Sequence, residues 1–454
     1  MRVAVRTTVS LVLLVALGGC YLSHERPRGS SSPPDASVPD AGTTPDAIVV
    51  RPACRVECGE PELVAHEEMG DLEGLLDVAA MEGTLGLLAR RYFYALADTY
   101  PEYALILVDT STGAVRTAAS ADAVRTTSKL VGGGLHVADG GWNATLLRTN
   151  AIGDRVPVDA IVAGARWSAS GESVWQEPML ARVPEDLRSC GCAQLGVGFG
   201  RGPTSFAALA VGRSVYATRV RWRPHAIADP PALLAILPED VPGSTPLDGA
   251  ILDESALVVA GGGHARSLEP RTGFLVTGNP AEAPLRASPI DGAAFDPPPR
   301  VRGTLDGAHS AIFRYVSDTT DLAASTLRAE IRDRSGRLVD EMGVRLRDGL
   351  VPLASAPYAT ASGVGLVWLD RDGGAHVLPA AEVHERHSEW RDCGHEVEVP
   401  PAATLASGLY DGGWYGTRSL LAWADGADVL VVALEPGPAL TVLRIPSCSI
   451  VRVR

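Results

Sequence analysis

Asp139-Gly140-Gly141-Trp142-Asn143-Ala144-Thr145-Leu146-Leu147-Arg148 reads as a tight polar turn followed by an apolar run, one strand ending and the next beginning. Asp411-Gly412-Gly413-Trp414-Tyr415-Gly416-Thr417-Arg418-Ser419-Leu420-Leu421-Ala422-Trp423 echoes it, and Asp306-Gly307-Ala308-His309-Ser310-Ala311-Ile312-Phe313-Arg314 is a looser third copy. Each copy predicts a loop that ends an inner strand, then a second strand, a polar turn and a third strand. Similar units begin near residues 68, 121, 161, 197, 246, 289, 350 and 400, about 40–60 residues apart.

Working outward, short β-rich runs recur at Tyr103–Val108, Thr145–Thr149, Ser214–Val220, Ala256–Ala260, Ala311–Val316, Val364–Leu369, Ser419–Trp423 and Val429–Leu434. Turn residues separate them, in Asp109–Gly113, Asp333–Gly336, Asp370–Gly374 and Asp425-Gly426. The spacing resembles that of β-propeller blades, typically four strands each. The expected fold is therefore all-β and propeller-like, with six to eight blades and seven favoured. Another all-β arrangement and an α/β fold are the rivals. Only Pro61–Tyr94 and Pro379–Trp390 tolerate a helical reading.

Composition bounds the function classes. Of 454 residues, 46% are hydrophobic, so a disordered chain is excluded. The net charge of −14, without a basic block, argues against nucleic acid as a partner. No sustained heptad or Gly-X-Y period supports a coiled coil or collagen. Aromatic residues are only 5%, so Ala, Val and Leu must fill the core.

Residues 1–19 read as a signal peptide. Arg2 and Arg6 precede an apolar run from Val9 to Leu17, interrupted only by Ser10. Nine residues rise only about 14 Å as a helix, too short for roughly 30 Å of hydrocarbon. The Leu17-Gly18-Gly19-Cys20 ending resembles the lipobox of bacterial lipoproteins. That resemblance implies cleavage before Cys20, a diacylglycerol on its thiol and a fatty acyl group such as palmitate on the new amino terminus. Several chains anchor stably where one binds only reversibly. Residues 20–52 then carry three Pro-Asp-Ala repeats in a Ser-, Pro- and Asp-rich stretch, a tether spanning about 30 Å root-mean-square. Residues 53–454 are expected to form a single propeller-like domain, so that the whole chain is similar to repeat lipoproteins of the bacterial envelope. Tyr21 after Cys20 favours the outer membrane over the inner.

Six cysteines remain after Cys20: Cys54, Cys58, Cys190, Cys192, Cys393 and Cys448. An even number in an oxidising compartment reads as disulfides. Proximity favours Cys54–Cys58, Cys190–Cys192 and Cys393–Cys448. The rival pairs Cys448 with Cys54 or Cys58 and staples the ring shut.

The remaining candidate sites weigh toward structural roles. His384, His387 and His395 lie within twelve residues, and His384 and His387 would share a helix face as weak metal candidates. The stretch lacks the His-Glu-x-x-His spacing, so a solvated loop without metal is the expectation. Asp370-Arg371-Asp372-Gly373-Gly374 starts like a calcium loop, but Ala381 stands where the bidentate Glu belongs. Gly132-Gly133-Gly134 and Gly261-Gly262-Gly263-His264 lack the Gly-Lys-Ser/Thr of a phosphate loop. Arg219-Val220-Arg221-Trp222-Arg223 alternates as a strand with an Arg face, an anion or glycan platform or a solvated edge. No catalytic motif and no cofactor is expected. The leading reading is a membrane-tethered, non-enzymatic module that binds protein or glycan through its loops. A glycan hydrolase or lyase on the same scaffold, and an envelope assembly factor, are the alternatives.

Overall fold

In a computed structural model, residues 54–452 are described apart from 96–97, 119–127, 151–158, 183–194, 212, 224, 238–246, 253–256, 262–272, 291–298, 317–325, 346–351, 385–386, 389–392, 394–396 and 407–417. Cys20, with the expected signal peptide (1–19) and tether (20–52), and Cys190, Cys192, His395 and Asp411-Gly412-Gly413 lie outside the described residues.

The chain forms consecutive antiparallel meanders. Sheet I holds β3 (Leu72–Met81), β4 (Thr84–Ala95), β5 (Asp98–Asp109) and β6 (Val115–Thr117). Sheet II holds β7 (Ser128–Ala138), β8 (Gly141–Asn150), β9 (Asp159–Ser168) and β10 (Ser173–Arg182). Sheet III has β11 (Leu195–Arg201), β12 (Thr204–Val211), β13 (Ser214–Trp222), β14 (Ala226–Ala228) and β15 (Ala232–Ile236). Sheet IV has β16 (Leu247–Ile251), β17 (Leu257–Gly261), β18 (Gly273–Gly278) and β19 (Ala287–Ile290). Sheet V has β20 (Arg300–Gly303), β21 (His309–Val316), β22 (Thr326–Asp333) and β23 (Leu338–Arg345). Sheet VI has β24 (Ala354–Ala359), β25 (Gly363–Leu369), β26 (Gly374–His384), β27 (His387–Ser388) and β29 (Pro401–Thr404). Sheet VII has β30 (Leu420–Asp425), β31 (Asp428–Glu435) and β32 (Ala439–Ile445), and its outermost strand is β2 (Glu62–Glu68), from the start of the body.

The first strand of each meander packs against the first strand of the next, and β30 returns to β3. Among the described residues, a separate apolar cluster fills the space between every two neighbouring sheets. One holds Leu88, Trp142 and Trp167 between sheets I and II; another holds Leu75, Leu87, Leu421 and Val432 between sheets VII and I. The clusters therefore close a ring, the β-propeller architecture expected from the spacing. Sheets covered on both faces need continuous apolar runs, not strict alternation. Gly363–Leu369 is buried at all seven positions for that reason.

Local chemistry sets the hairpins. Glu82-Gly83 joins β3 to β4 and Asp139-Gly140 joins β7 to β8, each with positive φ at both positions (48° and 76°; 50° and 66°). These two-residue loops twist with the strands they join. Between sheets II and III the backbones nearly touch. A Cβ on Gly134 would stand 2.0 Å from the Gly198 carbonyl oxygen, and one on Gly132 2.0 Å from that of Gly196. Gly132–Gly134 thus lines an inter-sheet seam.

Several expectations are corrected. Pro61–Tyr94 and Pro379–Trp390 are not helical where described: they supply β2, β3, β4, β26 and β27. Glu82-Gly83 breaks the first at a hairpin, and apolar contacts on both sheet faces override helix propensity. The unit starts near 161 and 400 are not innermost strands: residue 161 lies in the third strand of sheet II, and 401–404 pairs with β26. The start near 289 lies in β19, an outermost strand. The echo beginning at Asp411 precedes the innermost strand β30, whereas Asp139 follows β7 and Asp306 follows β20.

A small sheet joins the chain ends. β1 (Cys54–Glu57) pairs parallel with β28 (Val397–Glu398) and antiparallel with β33 (Ser449–Arg452). Disulfides Cys54–Cys393 and Cys58–Cys448 flank β1. The proximity pairing is wrong for these four cysteines. Strand order brings residues 339 and 390 apart in sequence together, and Cys448 does staple the ring through Cys58.

Candidate functional site at the ring axis

Two aspartates on innermost strands repeat one arrangement. Asp77 on β3 accepts the Val78 amide at Oδ1 (2.8 Å) and the Leu135 amide of β7 at Oδ2 (2.8 Å). Asp248 on β16 accepts the Gly249 amide at Oδ1 (2.9 Å) and the Val301 amide of β20 at Oδ2 (3.0 Å). Each carboxylate thus stitches its innermost strand to that of the next sheet.

Arginines reach these carboxylates across the ring. Arg418, just before β30, donates from Nη2 to Asp248 Oδ1 at 2.8 Å. Its backbone exchanges hydrogen bonds with Leu75, at 2.9 and 2.7 Å. Arg302 on β20 brings Nη1 to 3.8 Å from Asp77 Oδ1, and its guanidinium carbon stands 5.7 Å from the Trp423 ring centroid. Sheets IV and VII are three steps apart round the ring, as are sheets V and I. Side chains linking them must span the axis. The cluster of Asp77, Asp248, Arg302 and Arg418 is formally neutral. Burial pushes the Asp77 carboxyl above the usual range, outweighing Arg302, Arg418 and the two amides.

The residues singled out in the sequence lie elsewhere. His384 and His387 are opposed across the β26–β27 hairpin and not stacked on a helix. Among the described residues, no group of three His, Cys, Asp or Glu side chains is placed to hold a metal ion. Asp370 forms a turn: its Oδ1 accepts the amides of Asp372 (2.9 Å) and Gly374 (2.7 Å), and Oδ2 meets His376 Nε2 at 3.0 Å. Burial pushes its carboxyl up, but these bonds outweigh burial and hold it below the ordinary range. On β13, Val220 and Trp222 are buried and Arg221 is exposed, where it pairs with Asp229 at 2.5 Å. The Arg face is solvated at that position, on an inner strand paired with both β12 and β14.

Sequence reasoning missed all four axial charges, because no spacing relates residues 77, 248, 302 and 418. One signal was present: a single Asp interrupts each apolar innermost strand, in Leu75-Leu76-Asp77-Val78-Ala79 and Leu247-Asp248-Gly249-Ala250. An acid there must find partners to be tolerated.

No protein-family model matches the chain, and no curated protein matches it either. Solved structures of similar chain path include an α-L-arabinofuranosidase of Fusarium graminearum bound to an iminosugar inhibitor. It is 8% identical, with a TM-score of 0.46, over 86% of this chain and 98% of that one. The β-propeller domain of the Trilobed protease of Pyrococcus furiosus is 9% identical, with a TM-score of 0.41, over 84% and 96%. An uncharacterized protein of Listeria monocytogenes is 7% identical, with a TM-score of 0.39, over 84% and 97%.

Proposed function

We propose that the chain is a lipid-tethered β-propeller of the bacterial envelope, outer membrane favoured, whose body binds protein or glycan without catalysing a reaction. One observation carries the non-catalytic part. Both axial carboxylates are already held by two backbone amides each, and Asp248 also by Arg418. Glycoside hydrolysis needs two carboxyl groups free to exchange protons or attack the sugar. Carboxylates fixed as inter-strand stitches suit a scaffold better.

The hydrolase reading keeps one supporting observation, the raised Asp77 carboxyl, since a general acid must hold its proton near neutral pH. Incubation with a panel of envelope polysaccharides, reading released reducing ends, separates the two. The binding reading expects no turnover by wild type. Turnover that Asp77→Asn abolishes, in a protein that still melts cooperatively, would establish the enzyme instead. The tether rests on Leu17–Cys20 and is tested separately. Cys20→Ala is expected to leave the protein uncleaved or outside the detergent phase. A variant that still partitions like wild type refutes lipidation.

A further inference from the structure

The two cross-ring arginines are not equivalent. Arg418 is bonded to Asp248 at 2.8 Å, and its side chain is only 11% exposed. Arg302 stands 3.8 Å from Asp77, beyond hydrogen-bond range, and is 24% exposed. Both Asp77 oxygens accept backbone amides, as those of Asp248 do, but only Asp248 also takes a guanidinium hydrogen bond. The Arg302 guanidinium carbon stands over the Trp423 ring, 5.7 Å from its centroid, a cation–π contact that uses none of its N–H donors. A guanidinium with unspent in-plane donors can take a planar oxyanion through two parallel hydrogen bonds.

We propose that Arg302, seated on Trp423, is a binding site for the carboxylate of a small molecule at the ring axis. The ligand is held by charge-assisted hydrogen bonds from the guanidinium edge. Asp77 remains bonded to Val78 and Leu135, and its distance from Arg302 leaves the donors available. Arg418 stays locked to Asp248 and serves as part of the wall. The ligand carboxylate is attracted by the Arg302 guanidinium, and screening of that pair should lower affinity as ionic strength rises. This deepens the binding reading by naming a ligand chemistry. Its failure would leave binding through the outer loops untouched, and turnover in the polysaccharide assay would not depend on it.

Titration calorimetry and thermal melts of the whole folded body, with acetate, D-glucuronate and inorganic phosphate as probes, test the site. Acetate carries the head group alone, and glucuronate adds a sugar ring. A saturable response to either carboxylate is expected, with a rise of about 2 °C at tenfold over half-saturation. Stronger response to glucuronate would assign the carboxylate to an acidic saccharide, and equal response to simple carboxylic acids. Arg302→Gln should weaken binding at least tenfold, roughly the loss of a charge-assisted contact. Arg302→Lys keeps the charge but not the fork, and should fall between the two. It also keeps the test open should Arg302→Gln fold poorly. No response to either carboxylate, a response to phosphate alone, or equal binding by wild type and Arg302→Lys would overturn the proposal.

Discussion

Arg418 Nη2 and Asp248 Oδ1 are 2.8 Å apart, although 170 residues separate them in the chain and their sheets lie three steps apart round the ring. The two side chains are 11% and 4% exposed. Charges buried to that depth stabilise only as a pair, and removing one partner leaves the other without compensation. Arg418→Met or Asp248→Asn alone is therefore expected to cost about 3–5 kcal/mol in denaturant unfolding. The Arg418→Met/Asp248→Asn double variant should cost less than the sum of its singles. Additive losses would show that the pair does not act as a unit.

His136 on β7 is buried, 4% exposed, and packs edge-on against Trp222 with ring centroids 5.5 Å apart. Neither ring nitrogen has a hydrogen-bond partner. Burial pulls its pKa down to about 3. The folded form thus keeps the ring neutral, while the unfolded chain takes up a proton below about 6.5. Stability is unaffected by this group above that pH and is lost as pH falls from about 6.5 toward 3. The slope is about 1.4 kcal/mol per pH unit for one proton. Unfolding curves across this range should be flatter by that proton in His136→Leu. Equal slopes would remove His136 as the source.

The seam between sheets II and III makes two glycines differ sharply in tolerance. In Gly134→Ala the new methyl meets a backbone oxygen 2.0 Å away, which no side-chain rotation relieves. A loss above about 4 kcal/mol, or failure to fold, is expected. At Gly140 nothing lies within 4 Å, and only the positive φ of 66° opposes a side chain. Gly140→Ala should cost about 1–2 kcal/mol. Thermal melts of the two variants side by side decide this.

Cys54, Cys58, Cys393 and Cys448 should resist alkylation in the denatured, unreduced protein and label only after reduction. Cys58→Ala/Cys448→Ala should destabilise by about 2–5 kcal/mol. The same variant frees the outer strand of sheet VII from its covalent fastening. Labelling of these thiols without reductant would contradict the pairing.

Much of the architecture was legible because hairpin chemistry is local. Asp139-Gly140 and Asp306-Gly307 mark the end of an innermost strand, as read from the sequence. The strand runs read in the sequence fall on strands wherever they are described, as Val364–Leu369 does on β25. Element counting failed where a third or fourth strand looks like a first: the Asp159–Ser168 strand is as apolar as an innermost one, since both its faces are covered. The axial cluster and the disulfides were hidden for a different reason. Asp77 meets Arg302, and Cys54 meets Cys393, only after the ring has closed, and no local spacing encodes that meeting.

The two bridges also decide what a protease can detach. A single cut anywhere between residues 59 and 392 leaves Cys54 and Cys58 on one fragment and Cys393 and Cys448 on the other, joined twice. Such a nicked molecule would run as one species on a non-reducing gel and as two after reduction. Nicking the body would therefore release nothing. If the chain is tethered through Cys20 as proposed, shedding requires a cut upstream of Cys54, in the Pro-Asp-Ala stretch, which makes those few residues the point of control over where the body resides.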